Sequence, residues 1–131
     1  MVEAGEAPRK CKVALLGMTY KENCSDVRNS KVYDIITRLN TYGIESIVVD
    51  PWANKRDVMK EYGINLADFD DLYDLDCVIV AVAHNEFKEI PVNHLTKMYR
   101  KKTDAVKVII DVKGIYNVDD LQEAGMSWWR L

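Results

Sequence analysis

The stretch KVALLGMTYKENCSDVRNSKVYDI, residues 12–35, contains the transition that decides the fold. It opens with the short apolar run Val13–Leu16, which is typical of a buried parallel strand. Gly17 ends this run, and a polar loop, residues 17–28, follows; we call it the opening loop. A helix is predicted over residues 30–42, because four apolar side chains fall on one stripe: Val32, Ile35, Ile36 and Leu39. Asn29 or Ser30 can cap this helix, and Gly43 can end it.

The same alternation continues along the chain. Further β-branched runs predict strands at residues 47–49, 77–82 and 108–112. Helical or turn patterns occupy residues 57–62, 69–73, 92–99 and 119–124. The apolar tail, residues 126–131, suits an edge strand, in which Trp128 and Trp129 would face opposite sides of the sheet. Strands that alternate with helices imply right-handed crossovers. We therefore predict an α/β fold, a Rossmann-like three-layer domain with a mainly parallel sheet and helices on both faces.

Composition narrows the function classes. The chain has 131 residues, 48% of them hydrophobic and 30% charged, with a formal net charge of −3. We expect residues 1–10 to be a disordered or linking lead-in and residues 11–131 to form one domain. The one basic cluster, residues 100–102, suits a solvated helix end, and no apolar run is long enough to cross a bilayer, so neither nucleic acid nor a membrane is expected as a partner. Three cysteines without a C-x-x-C pair argue against disulfides and a zinc site and fit a cytoplasmic protein; no metal is expected.

The opening loop lies where parallel sheets bind ligands, at the carboxyl end of a strand. A dinucleotide fingerprint would need glycines at 17, 19 and 22, but the chain has Gly17, Thr19 and Glu22. The loop instead offers two cations, Lys21 and Arg28, that could bind phosphate or carboxylate groups. Asp26 could orient Arg28 or cap a turn. The alternative, that these charges are solvated or form a plain surface pair, stays open.

Three other residues near strand ends have two interpretations each. Asp50 could bond a ribose hydroxyl, but with Pro51 behind it the simpler interpretation is a turn. His84 could titrate or bond a ligand, but a structural hydrogen bond is favoured because the sequence shows no acid–base partner for it. Trp52 could pack in the core or against another domain.

Residues 14–35, ALLGMTYKENCSDVRNSKVYDI, resemble the start of the C-terminal domain of the UDP-glucose/GDP-mannose dehydrogenase family. The matching pattern is a strand, a glycine, two residues, an aromatic, a lysine, and an acid-x-arginine run into a helix. The Glu-Asn-Cys that follows the lysine is similar to the branch that oxidises N-acetylated UDP-hexosamines. The resemblance continues through VVDPWA (48–53), VAVAHNEFK (80–88) and VIIDVKGIY (108–116), and so covers about residues 11–131.

The resemblance implies an enzyme that uses NAD to oxidise the C6 alcohol of a UDP-sugar to a carboxylate, in polysaccharide biosynthesis. It implies that Tyr20, Lys21 and Lys113 contact the substrate nucleotide, and that Arg28 reaches toward the NAD pyrophosphate. It also implies partners that this sequence lacks: an N-terminal NAD-binding domain, which binds most of the cofactor, and a central helical domain that makes a homodimer.

The family's catalytic cysteine belongs to a glycine-rich motif ahead of this region, and none of Cys11, Cys24 and Cys77 has that context. Cys77 suits inert core, and Cys24 an incidental loop thiol. We therefore assign no catalytic residue and expect the chain alone to be inactive. Two rival interpretations remain: a freestanding nucleotide-binding or regulatory module without enzymatic activity, and a flavodoxin- or receiver-like interaction domain. The absence of paired acids after the first strand weakens the receiver interpretation.

Overall fold

A computed structural model of the chain describes residues 11–28, 30–101 and 107–130. The predicted lead-in, residues 1–10, and the candidate helix cap Asn29 lie outside the described residues. None of the helices within these ranges is long and apolar enough to cross a bilayer.

Five strands form one parallel sheet in the described part of the chain, in the order β2-β1-β3-β4-β5. Their bounds are β1 Val13–Leu16, β2 Ser46–Val49, β3 Cys77–Val80, β4 Lys107–Asp111 and β5 Met126–Trp129. The predicted Rossmann-like α/β fold is confirmed. The third strand is shorter than predicted, since it ends at Val80 and not at residue 82. The sheet reverses its order of growth between β1 and β3, which makes their carboxyl ends the switch point of the fold.

The helices connect these strands as short segments. Their bounds are α1 Val32–Thr41, α2 Lys55–Tyr62, α3 Asn85–Lys88, α4 Val92–Thr96 and α5 Val118–Glu123, with a 3-10 turn at Phe69–Asp71. Helix α2 begins two residues before the prediction because the Asn54 side chain accepts the N–H groups of Arg56 and Asp57. Helix α3 lies in a segment for which no helix was predicted, and α4 is shorter than predicted.

Two apolar layers cover the sheet, one on each face. On one face, Val13 and Leu15 of β1 belong to a buried cluster with α1 and α2. On the other, Ala14 and Leu16 pack in a cluster with the 3-10 turn and α3, α4 and α5. This alternation along β1 follows from the two-residue period of a strand. The same period separates the tryptophans of β5 as predicted, because Trp128 packs against the core whereas Trp129 is exposed.

Candidate functional site

Gly17 brings the end of β1 against the segment that follows β3. Its backbone has φ +110, a conformation that favours glycine. A Cβ atom placed there would lie 2.5 Å from the Val82 Cβ and 2.9 Å from the Val82 nitrogen. Close packing across the switch point therefore requires a glycine at this strand end. A phosphate-binding turn, in contrast, would leave room for a ligand there.

The Asp50 carboxylate, at the end of β2, anchors the first residues of the opening loop. Its Oδ2 accepts the backbone N–H groups of Met18, at 2.6 Å, and Thr19, at 3.0 Å. Its Oδ1 accepts those of Trp52 and Ala53, at 2.8 and 3.1 Å. The second pair of bonds is the predicted turn, and the first is a long-range anchor that the sequence did not reveal.

Asp50 remains ionised although it is buried. Burial alone would raise the pKa of its carboxyl, but hydrogen bonds from the His84 ring and from the backbone of Met18 and Trp52 outweigh that effect and hold the pKa below its usual value. The carboxylate is thus a fixed negative charge inside the carboxyl edge of the sheet.

His84, the residue before α3, is completely buried and meets the opening loop from the other side of the switch point. Its Nε2 lies 3.0 Å from Asp50 Oδ2 and 3.0 Å from Thr19 Oγ1, and its Nδ1 accepts the backbone N–H of Asn23 at 2.8 Å. The favoured structural role is therefore what the described contacts support. The acid partner of His84 is Asp50, which lies 34 residues away in sequence.

The middle of the opening loop turns at Asn23. This residue has φ +52, which asparagine tolerates better than most residues. Its side-chain oxygen accepts the backbone N–H of Asn85 at 3.0 Å, and Tyr20 N–H donates to the Asp26 carbonyl at 2.7 Å. Tyr62 of α2 secures the end of the loop by donating to the Val27 carbonyl at 2.6 Å.

Two of the three predicted substrate residues lie on this anchored loop. Tyr20 is 60% exposed, and Lys21 is also exposed. Within the described ranges Lys21 forms no salt bridge, so its ammonium is available to an anion. The opening loop therefore exposes an aromatic ring and a positive charge at two successive positions, on a backbone that hydrogen bonds hold in place.

Arg28, the predicted cofactor residue, pairs with Asp26. Its Nε lies 3.2 Å from Asp26 Oδ1, and its backbone N–H donates to the same oxygen at 2.9 Å. Asp26 thus both orients Arg28 and closes a turn, the two roles foreseen for it. The guanidinium side chain is 78% exposed despite this pair. The hydrogen bond between the two side chains raises the pKa of Arg28 and lowers that of Asp26.

Lys113, the third predicted substrate residue, lies in the loop after β4. Asp111 holds this loop much as Asp50 holds the opening loop, because its buried carboxylate accepts the N–H groups of Ile115 and Tyr116 at 3.1 and 2.9 Å. The Arg130 guanidinium, from beyond β5, donates to the Tyr116 carbonyl. Lys113 itself is exposed.

Trp52 and Cys77 fill structural positions. Trp52 is 38% exposed, stacks near His84 and donates from its indole nitrogen to Glu86 at 2.8 Å. Burial raises the pKa of the Cys77 thiol to about 12, as befits a core residue. Across the described ranges, no group of three His, Cys, Asp or Glu side chains is arranged to hold a metal ion.

Comparison with known proteins places these features in a family. A model of the UDP-glucose/GDP-mannose dehydrogenase family, UDP binding domain, matches residues 14–118. The chain is 40% identical over 108 residues to UDP-N-acetyl-D-glucosamine 6-dehydrogenase of Pseudomonas aeruginosa, covering 82% of this chain and 25% of that protein. It is 35% identical over 131 residues to protein CapL of Staphylococcus aureus, covering 100% of this chain and 30% of that protein.

Solved structures share the fold. The chain superposes on NDP-N-acetyl-D-galactosaminuronic acid dehydrogenase from Methanosarcina mazei with a TM-score of 0.84 at 21% identity, covering 98% of this chain and 26% of that one. It superposes on UDP-D-ManNAc dehydrogenase from Pyrococcus horikoshii with a TM-score of 0.75 at 22% identity, covering 98% and 27%. The chain therefore spans between about a quarter and three tenths of the length of these proteins.

Proposed function

This chain belongs to the UDP-glucose/GDP-mannose dehydrogenase family as its UDP-binding domain, and we propose that residues 11–131 bind the UDP moiety of the substrate in a UDP-sugar 6-dehydrogenase. The names of relatives favour a UDP-N-acetylhexosamine as the substrate. The proposed reaction oxidises the C6 alcohol to a carboxylate with NAD in a cytoplasmic homodimer that serves polysaccharide biosynthesis.

The observation that carries this proposal is an exposed lysine, without a salt bridge in the described part of the chain, on a pre-organised backbone. Lys21 is exposed, and bonds to Asp50 and His84 fix the loop residues on either side of it. A loop that is already ordered loses little conformational entropy when a ligand binds, so more of the interaction energy appears as affinity. A charge-assisted bond to phosphate contributes roughly 1.5–3 kcal/mol.

A second cation lies within reach of the same nucleotide. Only β3 separates β1 from β4 in the sheet, so the loops that carry Lys21 and Lys113 start about 10 Å apart. A nucleoside diphosphate is long enough to extend between two such loops. We assign Tyr20 and Lys21 to one end of the UDP moiety and Lys113 to the other.

Arg28 would contact the NAD pyrophosphate. Its guanidinium fits this role because it is largely exposed and Asp26 already holds it in one orientation. NAD, when bound, supplies the hydride acceptor, and polypeptide outside these 131 residues would hold most of it. The nucleophilic cysteine and the central helical domain would also lie outside them, so this chain contributes binding and orientation of the substrate.

Titration of the chain with UDP, followed by NMR of backbone amides, tests the proposal. Because this chain would form one wall of a cleft, we expect weak binding, with a Kd of about 1 mM or above. Shifts should concentrate in residues 17–28 and around Lys113. Lys21→Ala should weaken binding at least tenfold, whereas the control Lys97→Ala should not, because Lys97 follows α4 near the amino end of β3.

Three results would count against the proposal. One is no shift at millimolar UDP, another is a set of shifts away from the carboxyl edge, and the third is equal affinity in the Lys21→Ala and Lys97→Ala proteins. A separate assay with UDP-N-acetylhexosamine and NAD should yield no NADH from the chain alone. NADH formation would show that catalysis does not need the further domains.

A further inference from the structure

The His84 imidazole connects two points of the opening loop that lie on either side of Lys21. Thr19, two residues before Lys21, approaches the ring at Nε2 through its hydroxyl, and Asn23, two residues after it, donates its N–H to Nδ1. Residues 19–23 therefore form an arch. Lys21 is its apex, and its two feet, Thr19 and Asn23, both contact the His84 ring. The Thr19 hydroxyl also donates to the Lys21 carbonyl at 3.0 Å, which bonds the apex to one foot.

The bonds around the ring select one protonation state of His84. An N–H from Asn23 points at Nδ1, so this nitrogen must present a lone pair. The proton of the neutral ring is then on Nε2, where Asp50 Oδ2 and the Thr19 oxygen can both accept it. The Thr19 hydroxyl is consistent with this, since its own proton goes to the Lys21 carbonyl.

The ring itself has little freedom to move. It is completely buried, lies 6.1 Å from the Trp52 ring in a stacked arrangement, and lies 5.4 Å from the Phe87 ring. A rigid side chain that bonds both feet of an arch fixes the height and direction of the apex. No substrate contact is needed for this effect.

We propose that His84, as the neutral Nε2-protonated tautomer oriented by Asp50, is a positioning residue that sets where Tyr20 and Lys21 meet the substrate. The proposal rests on the proposed function of these two residues as nucleotide contacts. It adds a residue that acts through the loop and touches neither the nucleotide nor the cofactor.

Two amide substitutions separate the hydrogen bond at Nδ1 from the contacts at Nε2. In His84→Asn, the new Oδ1 is attached to Cγ as Nδ1 was, so the acceptor for Asn23 is retained. The Thr19 foot also survives there, because Asp50 still accepts the Thr19 N–H. In His84→Gln, the longer amide can replace the Nε2–H donor to Asp50, but the Asn23 foot loses its acceptor.

We expect His84→Gln to weaken UDP binding about fivefold and to speed hydrogen exchange at the Asn23 amide. In His84→Asn, both the affinity and the exchange rate should stay closer to those of wild type. Urea unfolding should show both variants less stable than wild type, because each loses the packed ring. If the two variants bind UDP equally, and each loses affinity only in proportion to its loss of stability, His84 is only a core residue.

Measurements on the wild-type chain test the inference even if a variant does not fold or UDP does not bind. NMR of the ring nitrogens should show a protonated Nε2 and an unprotonated Nδ1, and the Asn23 amide should exchange far more slowly than that of Glu22. A protonated Nδ1, or equally fast exchange at both amides, overturns the inference and leaves the UDP proposal standing. If Lys21→Ala fails to change UDP binding while these signals are as expected, the proposed function fails and the arch remains.

Discussion

Replacing Asp50 by asparagine should cost a large part of the stability of this domain. The carboxylate accepts five hydrogen bonds: from the backbone of Met18, Thr19, Trp52 and Ala53, and from the ring of His84. An asparagine has one acceptor oxygen and one NH₂ group. If its oxygen takes the Oδ2 position, two backbone N–H groups face the NH₂; in the opposite orientation, three donors do. Every orientation therefore leaves at least two donors without an acceptor.

Each unsatisfied buried donor costs about 1–3 kcal/mol, so the loss of two acceptors in Asp50→Asn should lower the free energy of unfolding by about 2–6 kcal/mol. A typical domain has only about 5–15 kcal/mol in total. Urea unfolding followed by tryptophan fluorescence measures the change. Asp70→Asn is the matched control, because Asp70 is exposed and makes no side-chain hydrogen bond in the described part of the chain; its effect should stay within about 0.5 kcal/mol.

The pH dependence gives a second measure of the same interaction. The pKa of Asp50 is depressed in the folded state, so its contribution is complete above the unfolded pKa, about 3.9, and disappears as pH falls through the folded pKa. The difference in stability between wild type and Asp50→Asn should be constant from pH 7 to about pH 5 and narrow below about pH 4. A loss under about 1 kcal/mol at pH 7, or a difference that does not narrow in acid, would refute this account of the Asp50 contacts.

Two further predictions test the packing around the switch point. Gly17→Ala should destabilise the fold by about 3 kcal/mol or more in urea unfolding, because its Cβ would lie 2.5 Å from the Val82 Cβ. The control is Gly63→Ala, at a position with φ +70 and open space around it, which should cost about 1 kcal/mol. Equal costs for the two substitutions would contradict the close approach of Gly17 to Val82. Cys77, with its pKa raised to about 12, should resist iodoacetamide at pH 8 in the native protein, whereas the half-buried Cys24 should react. Mass spectrometry of the peptides measures the labelling of each cysteine. Equal labelling of both would mean that β3 is not buried as described.

Local sequence patterns were sufficient for the framework of this protein. Four buried β-branched runs and the stripe of α1 predicted the parallel sheet, since each signal lies within one short segment. The family resemblance, including its hexosamine branch, is confirmed by the family model and by the relatives. The short helix α3 was missed because four residues are too few to show a helical period. The start of α2 differs from the prediction because a polar cap, the Asn54 side chain, sets it, and this residue lies outside the apolar pattern of the helix.

The internal anchoring of the candidate site could not be predicted in the same way. Asp50 and His84 were each noticed as polar residues at a strand end, but their partnership depends on β2, β1 and β3 lying side by side. The order of strands is a tertiary property, and no pattern within either segment encodes it. The roles of Tyr20, Lys21, Lys113 and Arg28 as ligand contacts stay predictions, although all four side chains are exposed.

The way the switch point is filled explains why cations stand in this loop where glycines would be expected. In a phosphate-binding turn, the N–H groups at the start of the loop point at the ligand. Here the N–H groups of Met18 and Thr19 are both bonded to the Asp50 carboxylate, and Gly17 closes the crevice against Val82. A fixed negative charge behind these amides would also repel a phosphate from them. An anion that binds at this edge must therefore be met further out, by side chains long enough to extend beyond the anchored backbone, and Lys21 is the cation that the arch holds there.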